Sequence, residues 1–293
     1  MIQLFKLGES PTKKQGLVLS TIGFIFIIAL WELIVRVGGI SNTIFPSPVK
    51  VVTSMYELLT QYNLLGNTWY SIKLNFLGYL EAIVISIPLG FIIGLFPGTN
   101  GMFSKWVDSI RFIPLTAVTG IFIGIFGIGF GMKVHFLSFG IIIYLLPIFV
   151  TRVSETDIVH KQTLWTIGAS KWQTFKHLYF PSVMSKIFSD IRVIVAISWT
   201  YIIVAELIAK DLGVGALIAT SAKQSRTDMV FGVLIMIITV GYVSDLAFKW
   251  LERLLFPYNY EDSQTKMTLS ERFTTTWIGR IIKKFVLKPN TTV

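Results

Sequence analysis

Six stretches of mostly apolar residues leave this chain few ways to fold. They run from Leu17 to Val37, Phe76 to Phe96, Arg111 to Gly129, Val134 to Val150, Ile187 to Ala209 and Met229 to Trp250. A helix needs about 20 such residues to cross a bilayer's hydrocarbon core. It also satisfies its own backbone hydrogen bonds, which lipid cannot do. The expected fold is an all-α membrane bundle of about six spans. Composition agrees: 14% of the 293 residues are charged, where soluble domains carry about 25%. With no cysteine, disulfides, thiolate metal sites and cysteine nucleophiles drop out.

The net charge of +10 suggests nucleic acid until its distribution is read. With the N-terminus placed inside, nineteen Lys and Arg fall on inner segments and seven on outer ones. Basic residues collect on cytoplasmic loops, so both termini are expected in the cytoplasm. The charge then reflects topology and contact with anionic membrane lipid, not nucleic acid. The first stretch is longer than a signal peptide's apolar core, has no small-x-small site after it, and closes with Glu32 and Arg36. It reads as a retained helix. The chain divides into an N-terminal cytoplasmic tail (1–16), a permeation domain (17–257) and a basic C-terminal tail (258–293). In that last tail Trp277, Ile278, Ile281, Ile282 and Phe285 alternate with Arg280, Lys283 and Lys284. It suits an interfacial helix or a disordered basic tail equally.

Charges inside the spans have an ordinary explanation first. Glu32 with Arg36, Lys186 with Asp190, and Asp245 with Lys249 are each four apart near helix ends, where they can pair locally or snorkel. Glu81 and Glu206 have no such partner in register. An intramembrane carboxylate usually faces a bundle interior or wet cavity, although an interfacial position is the plainer reading for Glu206.

Between spans, Ser47 and Pro48 form a helix start, with Ser47 as cap and Pro48 at the first turn. Val51, Val52, Met55, Leu58 and Leu59 then fall on one face, giving an amphipathic packing helix. The third and fourth spans, joined by the Gly-rich link Gly127 to Gly131, read as a tight hairpin. Gly90 with Gly94, and Gly120 with Gly124, have the four-residue spacing that lets membrane helices approach closely.

The most informative stretch is the long inner loop, 151–186. Its pattern predicts two short helices broken near Gly168. Ile158, Leu164 and Trp165 form an apolar face before the glycine, and Trp172, Phe175 and Leu178 form one after it. Ser170 can cap the second helix, and Pro181 ends it before the fifth span.

Here the sequence resembles the permease subunits of bacterial ABC importers. Their cytoplasmic loop reads E-A-A, three residues, Gly, nine residues, Ile-x-Leu-Pro. In this chain Gly168 is followed by nine residues and then Leu178-Tyr179-Phe180-Pro181. The E-A-A positions fall on Gln162, Thr163 and Leu164, which departs from the pattern. Phe45-Pro46-Ser47-Pro48, Pro114-Leu115-Thr116-Ala117, Gly168-Ala169-Ser170 and Ala205-Glu206-Leu207-Ile208 look like the nitrate, sulfonate, taurine and bicarbonate branch.

The resemblance implies a type I importer permease in the bacterial inner membrane. A separate ATPase would grip the loop through Gln162, Thr163, Leu164, Gly168, Ala169, Ser170, Trp172, Phe175, Leu178, Phe180 and Pro181. ATP would be used by that subunit, since this chain has no phosphate-binding G-x-x-x-x-G-K-[ST] loop; the chain itself is expected to hold no cofactor or metal. Trp172 and Phe175 are then buried in the partner, or else pack back on the bundle. A second permease copy and an extracytoplasmic substrate-binding protein are the other implied partners, with a small anion as cargo. Pro114, Thr116, Thr119, Ser198, Thr200 and Glu206 are the candidate pathway residues, chiefly hydroxyls able to meet an oxyanion. A membrane enzyme finds no support, because His135, His160 and His177 lack a second ligand at metal-binding spacing. An ATP-independent carrier or channel is the alternative, but its usual mid-bilayer charges are missing.

Overall fold

The computed structural model describes residues 12–39, 41–209 and 212–257. Among these there is no strand. The helices are α1 (Lys13–Val37), α2 (Pro48–Thr60), α3 (Leu64–Leu95), α4 (Pro97–Ile110), α5 (Leu115–Phe126), α6 (Phe130–Ser154), α7 (Ile158–Thr166), α8 (Lys171–Thr174), α9 (Phe180–Ala209), α10 (Val214–Lys223) and α11 (Thr227–Leu255). α1 begins at Lys13, inside the segment expected to be tail. The basic C-terminal tail lies outside the described residues.

Among the described residues five helices are long and apolar enough to cross a membrane, and a sixth crossing requires α4 and α5 together, bent by 103°. The expected third span, Arg111 to Gly129, is therefore corrected: only Leu115–Phe126, 12 residues, is helical there. Pro114 favours the break, since a proline disfavours the α conformation in the residue before it; it stands as the N-cap of α5. The second span is also longer than expected, starting at Leu64.

Two compact units divide the chain, Met1–Tyr70 with Lys210–Ile237, and Ser71–Ala209 with Ile238–Val293. In the first, Ser47 caps α2 as expected and Pro48 stands at its start. The buried face of α2 is Val51, Ser54 and Leu58. Val52 and Leu59, expected on that face, are exposed; the serine takes the inward position because its hydroxyl donates to Asp228 O at 2.9 Å. Arg226 holds Glu57 at 2.7 Å and Asp228 at 2.9 Å, and these carboxylates raise its pKa further. The Phe45-Pro46 turn is fixed by Trp31, whose Nε1 donates to Pro46 O at 3.0 Å.

In the second unit α6 is central, with Phe136, Leu137, Ile141, Leu145 and Phe149 among its buried residues. Gly90 and Gly94 explain the close approach of α3, since a Cβ on them would meet Phe149 Cβ at 2.7 Å and Val153 Cβ at 2.6 Å. The α5–α6 hairpin forms as expected around Leu115, Met132 and Phe136, with Phe122 packed against them. Gly120 and Gly124 have no neighbour within 4 Å of an added Cβ, so their face of α5 is uncovered in this chain.

Candidate functional site

The loop after α6 is built from local backbone rules. Asp157 caps α7, its side chain accepting from Val159 N. Gly168 ends it at φ +79°, a left-handed conformation that costs a residue with a Cβ roughly 1–2 kcal/mol. Ser170 then caps α8 in a reciprocal capping box with Gln173, as its position predicts. The two helices broken at Gly168 are thus present.

Beyond α8 the chain departs from the expectation. Pro181 does not end a helix; residues Lys171–Ile208 run as one 38-residue helical segment. A wide π turn over Phe175–Tyr179 precedes the proline. Its looser winding takes up the missing N–H and the ring clash that proline brings to a regular helix.

The aromatic residues of the loop divide between two roles. Phe175 packs back on the bundle, edge-on to Phe91 at 5.1 Å, and Phe91 in turn meets Phe149 at 5.4 Å. Trp172 stacks on Phe175 at 5.4 Å yet is 68% exposed. Trp165 and Ile167, before and beside the glycine, are exposed too, and Lys161 Nζ sits 4.7 Å above the Trp165 ring. Gln162, Thr163, Thr166 and Ser170 are exposed around them, whereas Leu164, Ala169, Leu178 and Pro181 are half-buried. Phe180, also exposed, stacks against Phe91 at 6.1 Å. The result is an uncovered aromatic ridge on a firmly seated base.

Charges anchor that base. Arg152 on α6 reaches across to Asp190 on α9 with two bonds, 2.7 and 2.8 Å, and holds Glu155 at 2.7 Å. The expected Lys186–Asp190 pair does not form. Lys186 lies 3.9 Å from Glu155 instead, because the planar guanidinium gives Asp190 a two-point contact that an ammonium cannot. The Arg152 guanidinium beside Glu155 holds its carboxyl below the usual range. On α9, Arg192 meets Asp245 at 3.0 Å and Glu252 at 3.2 Å, Ser189 donates to Glu252, and Lys249 pairs with Asp245 at 2.8 Å as expected. Glu32 and Arg36 also pair as expected, at 2.5 Å.

Sequence spacing missed the cross-helix partners of the lone carboxylates. Glu81 meets His135 Nδ1 at 2.9 Å. Glu206 is fully buried in the protein and accepts from Ser71 Oγ at 2.5 Å. The signal available was depth: each partner lies at a similar level on another helix. Among the described residues no group of three or more metal-ligating side chains gathers.

The candidate pathway residues are not brought together. Pro114 opens α5, and Thr116 and Thr119 come after it on the same helix, exposed and half-buried. Ser198 is buried, 3.1 Å from Asn75 Oδ1 and 2.8 Å from Val195 O. Thr200, two residues on, faces the opposite way and is exposed.

Comparison with known proteins supports the same architecture. Residues 82–257 match the family described as binding-protein-dependent transport system inner membrane component. The putative aliphatic sulfonates transport permease of Bacillus subtilis (strain 168) is 28% identical over 83% of this chain and 87% of its own length. The taurine transport permease of Escherichia coli (strain K12) is 22% identical over 80% and 87%. The formylaminopyrimidine transport permease of Halalkalibacterium halodurans is 24% identical over 81% and 94%. The chain therefore belongs to the binding-protein-dependent transport system inner membrane components, as a multi-pass inner-membrane permease of the branch that includes the sulfonate and taurine permeases.

Proposed function

We propose that this chain forms the solute pathway of an ATP-driven importer, and that a separate ATPase grips it through the ridge around Gly168. The observation that carries this reading is the exposure of Trp165, Ile167 and Trp172 beside a left-handed glycine. Large apolar groups left uncovered outside the spans favour burial by a protein partner. Phe175 supports it from beneath, because a docked ridge transmits force only if its base is fixed. On this reading Gln162, Thr163, Leu164, Ala169, Ser170, Leu178, Phe180 and Pro181 shape the dock. Both termini lie on the ATPase side.

A second copy of the permease is part of the proposal. α5 has 12 residues, about 18 Å of helix at 1.5 Å per residue, short of the ~30 Å that lipid would require. Broken backbone at membrane depth is tolerated only against protein or a wet cavity. The uncovered face of Thr116, Gly120 and Gly124 suits contact with the other copy, with Thr119 and Pro114 beside the pathway. An extracytoplasmic binding protein would deliver the cargo. We favour a short organic sulfonate, on the strength of the relatives' names.

The test is gentle detergent purification of the tagged chain with mass spectrometry of its companions. A nucleotide-binding ATPase should accompany the native chain and be lost from Gly168→Trp. If the chain purifies alone in both forms, the docking reading is wrong and an ATP-independent carrier replaces it.

A further inference from the structure

α4 carries more apolar surface than the bundle covers. Val107 is its buried residue, packed with Ile93 near the end of α3 and with Leu146 and Val150 of α6. Met102, Phe103 and Trp106 are exposed, as are Lys105, Asp108 and Ser109. At about 100° per residue the two exposed sets do not mix. The apolar three share one arc of the helix, next to that of Val107, and the polar three share another. A helix divided in this way fits three surroundings at once: protein on one side, acyl chains on the second and water on the third.

Depth decides what covers the apolar arc. Arg152, bonded to Asp190 and Glu155, marks the level on α6 where charged side chains gather. Leu146 and Val150 stand before it by about 9 and 3 Å of helix, at 1.5 Å per residue. α4 therefore packs on the membrane side of that level, at the depth of about 5–10 Å where interfacial helices lie. The loop that carries Gly168 leaves α6 on the other side, beyond Ser154. The bend of 103° keeps α4 from continuing α5 as a straight span. The apolar surface is also continuous with that of a spanning helix. Leu89, Ile92 and Phe96 are exposed at helical spacing on α3, and Thr99 Oγ1 closes the junction by donating to Ile92 O at 2.6 Å. Arg111, at the C-cap of α4, lies 5.5 Å from the centre of the Phe112 ring. Its long side chain, like that of Lys105, can reach phosphate oxygens while the stem stays in apolar surroundings.

We propose that α4 is an interfacial helix, seated in the leaflet on the side of the Gly168 loop. Met102, Phe103 and Trp106 lie among the acyl chains, with Lys105 and Arg111 at the phospholipid phosphates. This rests on the membrane placement of the family and not on the ATPase dock. Tryptophan suits that level, where its ring meets apolar and polar surroundings together. Held there, α4 fixes the depth of the ends of α3 and α5 that it joins.

The test uses the full-length chain, which has no cysteine of its own, in vesicles of phosphatidylethanolamine and phosphatidylglycerol. Met102→Cys, Trp106→Cys, Lys105→Cys and Ser109→Cys are made singly, and each carries a nitroxide label. Depth is read from the balance of relaxation by oxygen, which dissolves among acyl chains, and by a water-soluble nickel chelate. Labels at 102 and 106 should read about 5–10 Å below the phosphates, and those at 105 and 109 at the phosphates or above. If the labels at 102 and 106 are as open to nickel as the polar pair, α4 stands in water and the proposal is wrong. If they are shielded from both reagents, protein covers the arc and the proposal is equally wrong. The depths are read without the ATPase, so a failure of the dock and a failure of this helix are told apart.

Discussion

At the scale of single residues, Gly168 shows how a backbone angle fixes the residue at a loop position. Its added Cβ would meet nothing within 4 Å, so space is not the constraint; φ +79° is. Asparagine tolerates that region better than other residues with a Cβ. Gly168→Asn should therefore retain ATPase co-purification better than Gly168→Val, which combines the strain with a branched side chain. Arg152 supplies a second contrast. Arg152→Ala strands the half-buried Asp190 and should cost roughly 1–3 kcal/mol, read as a fall in detergent melting temperature. Lys186→Ala should cost almost nothing, because its contact with Glu155 is long and exposed at 3.9 Å. Part of the acid response comes from Glu155, whose carboxyl is held low by Arg152. Its small stabilising contribution is complete above the ordinary carboxylate pKa of about 4.3 and fades as pH falls through the lower folded value. Glu155→Gln should flatten that acid limb in melting curves between pH 3 and pH 7.

At the scale of elements, glycine spacing means different things on different helices. Gly90 and Gly94 lie against Phe149 and Val153, so Gly90→Leu should overpack α3 on α6 and destabilise the isolated chain by about 1–3 kcal/mol. Gly124→Leu meets open space and should leave the melting of the monomer unchanged while weakening assembly of two copies, measured by crosslinking in membranes. The sequence spacing of these pairs is the same; only the neighbouring helix distinguishes them, and a neighbour is not written in local sequence. The caps at Ser47 and Ser170 and the break at Gly168 were legible for the opposite reason, since each acts on residues within four of itself. The extent of α3, the bend before α5 and the partners of Asp190, Glu81 and Glu206 were not legible, because each depends on what another helix presents at the same depth.

At the scale of the whole molecule, the count of crossings rests on the α4–α5 pair. If the bent pair crosses, there are six spans and both termini share a side. If it enters and returns, five crossings put the termini on opposite sides. Reporter fusions at each end should give the same-side result, and an opposite-side result would redraw the topology and the position of the loop. The most continuous member of the bundle is Lys171–Ile208, a single rod that starts in the loop and ends among the spans. Each residue in a helix turns the chain by about 100°, so the rod also has an angular phase. The π turn over Phe175–Tyr179 sets that phase between Trp172 and everything beyond Pro181. One residue more or fewer between Gly168 and Pro181 would aim the tryptophan about a quarter-turn away. A fixed count between that glycine and that proline is then a matter of bearing: on the proposed function, it would keep the docked end of the rod pointed at its partner.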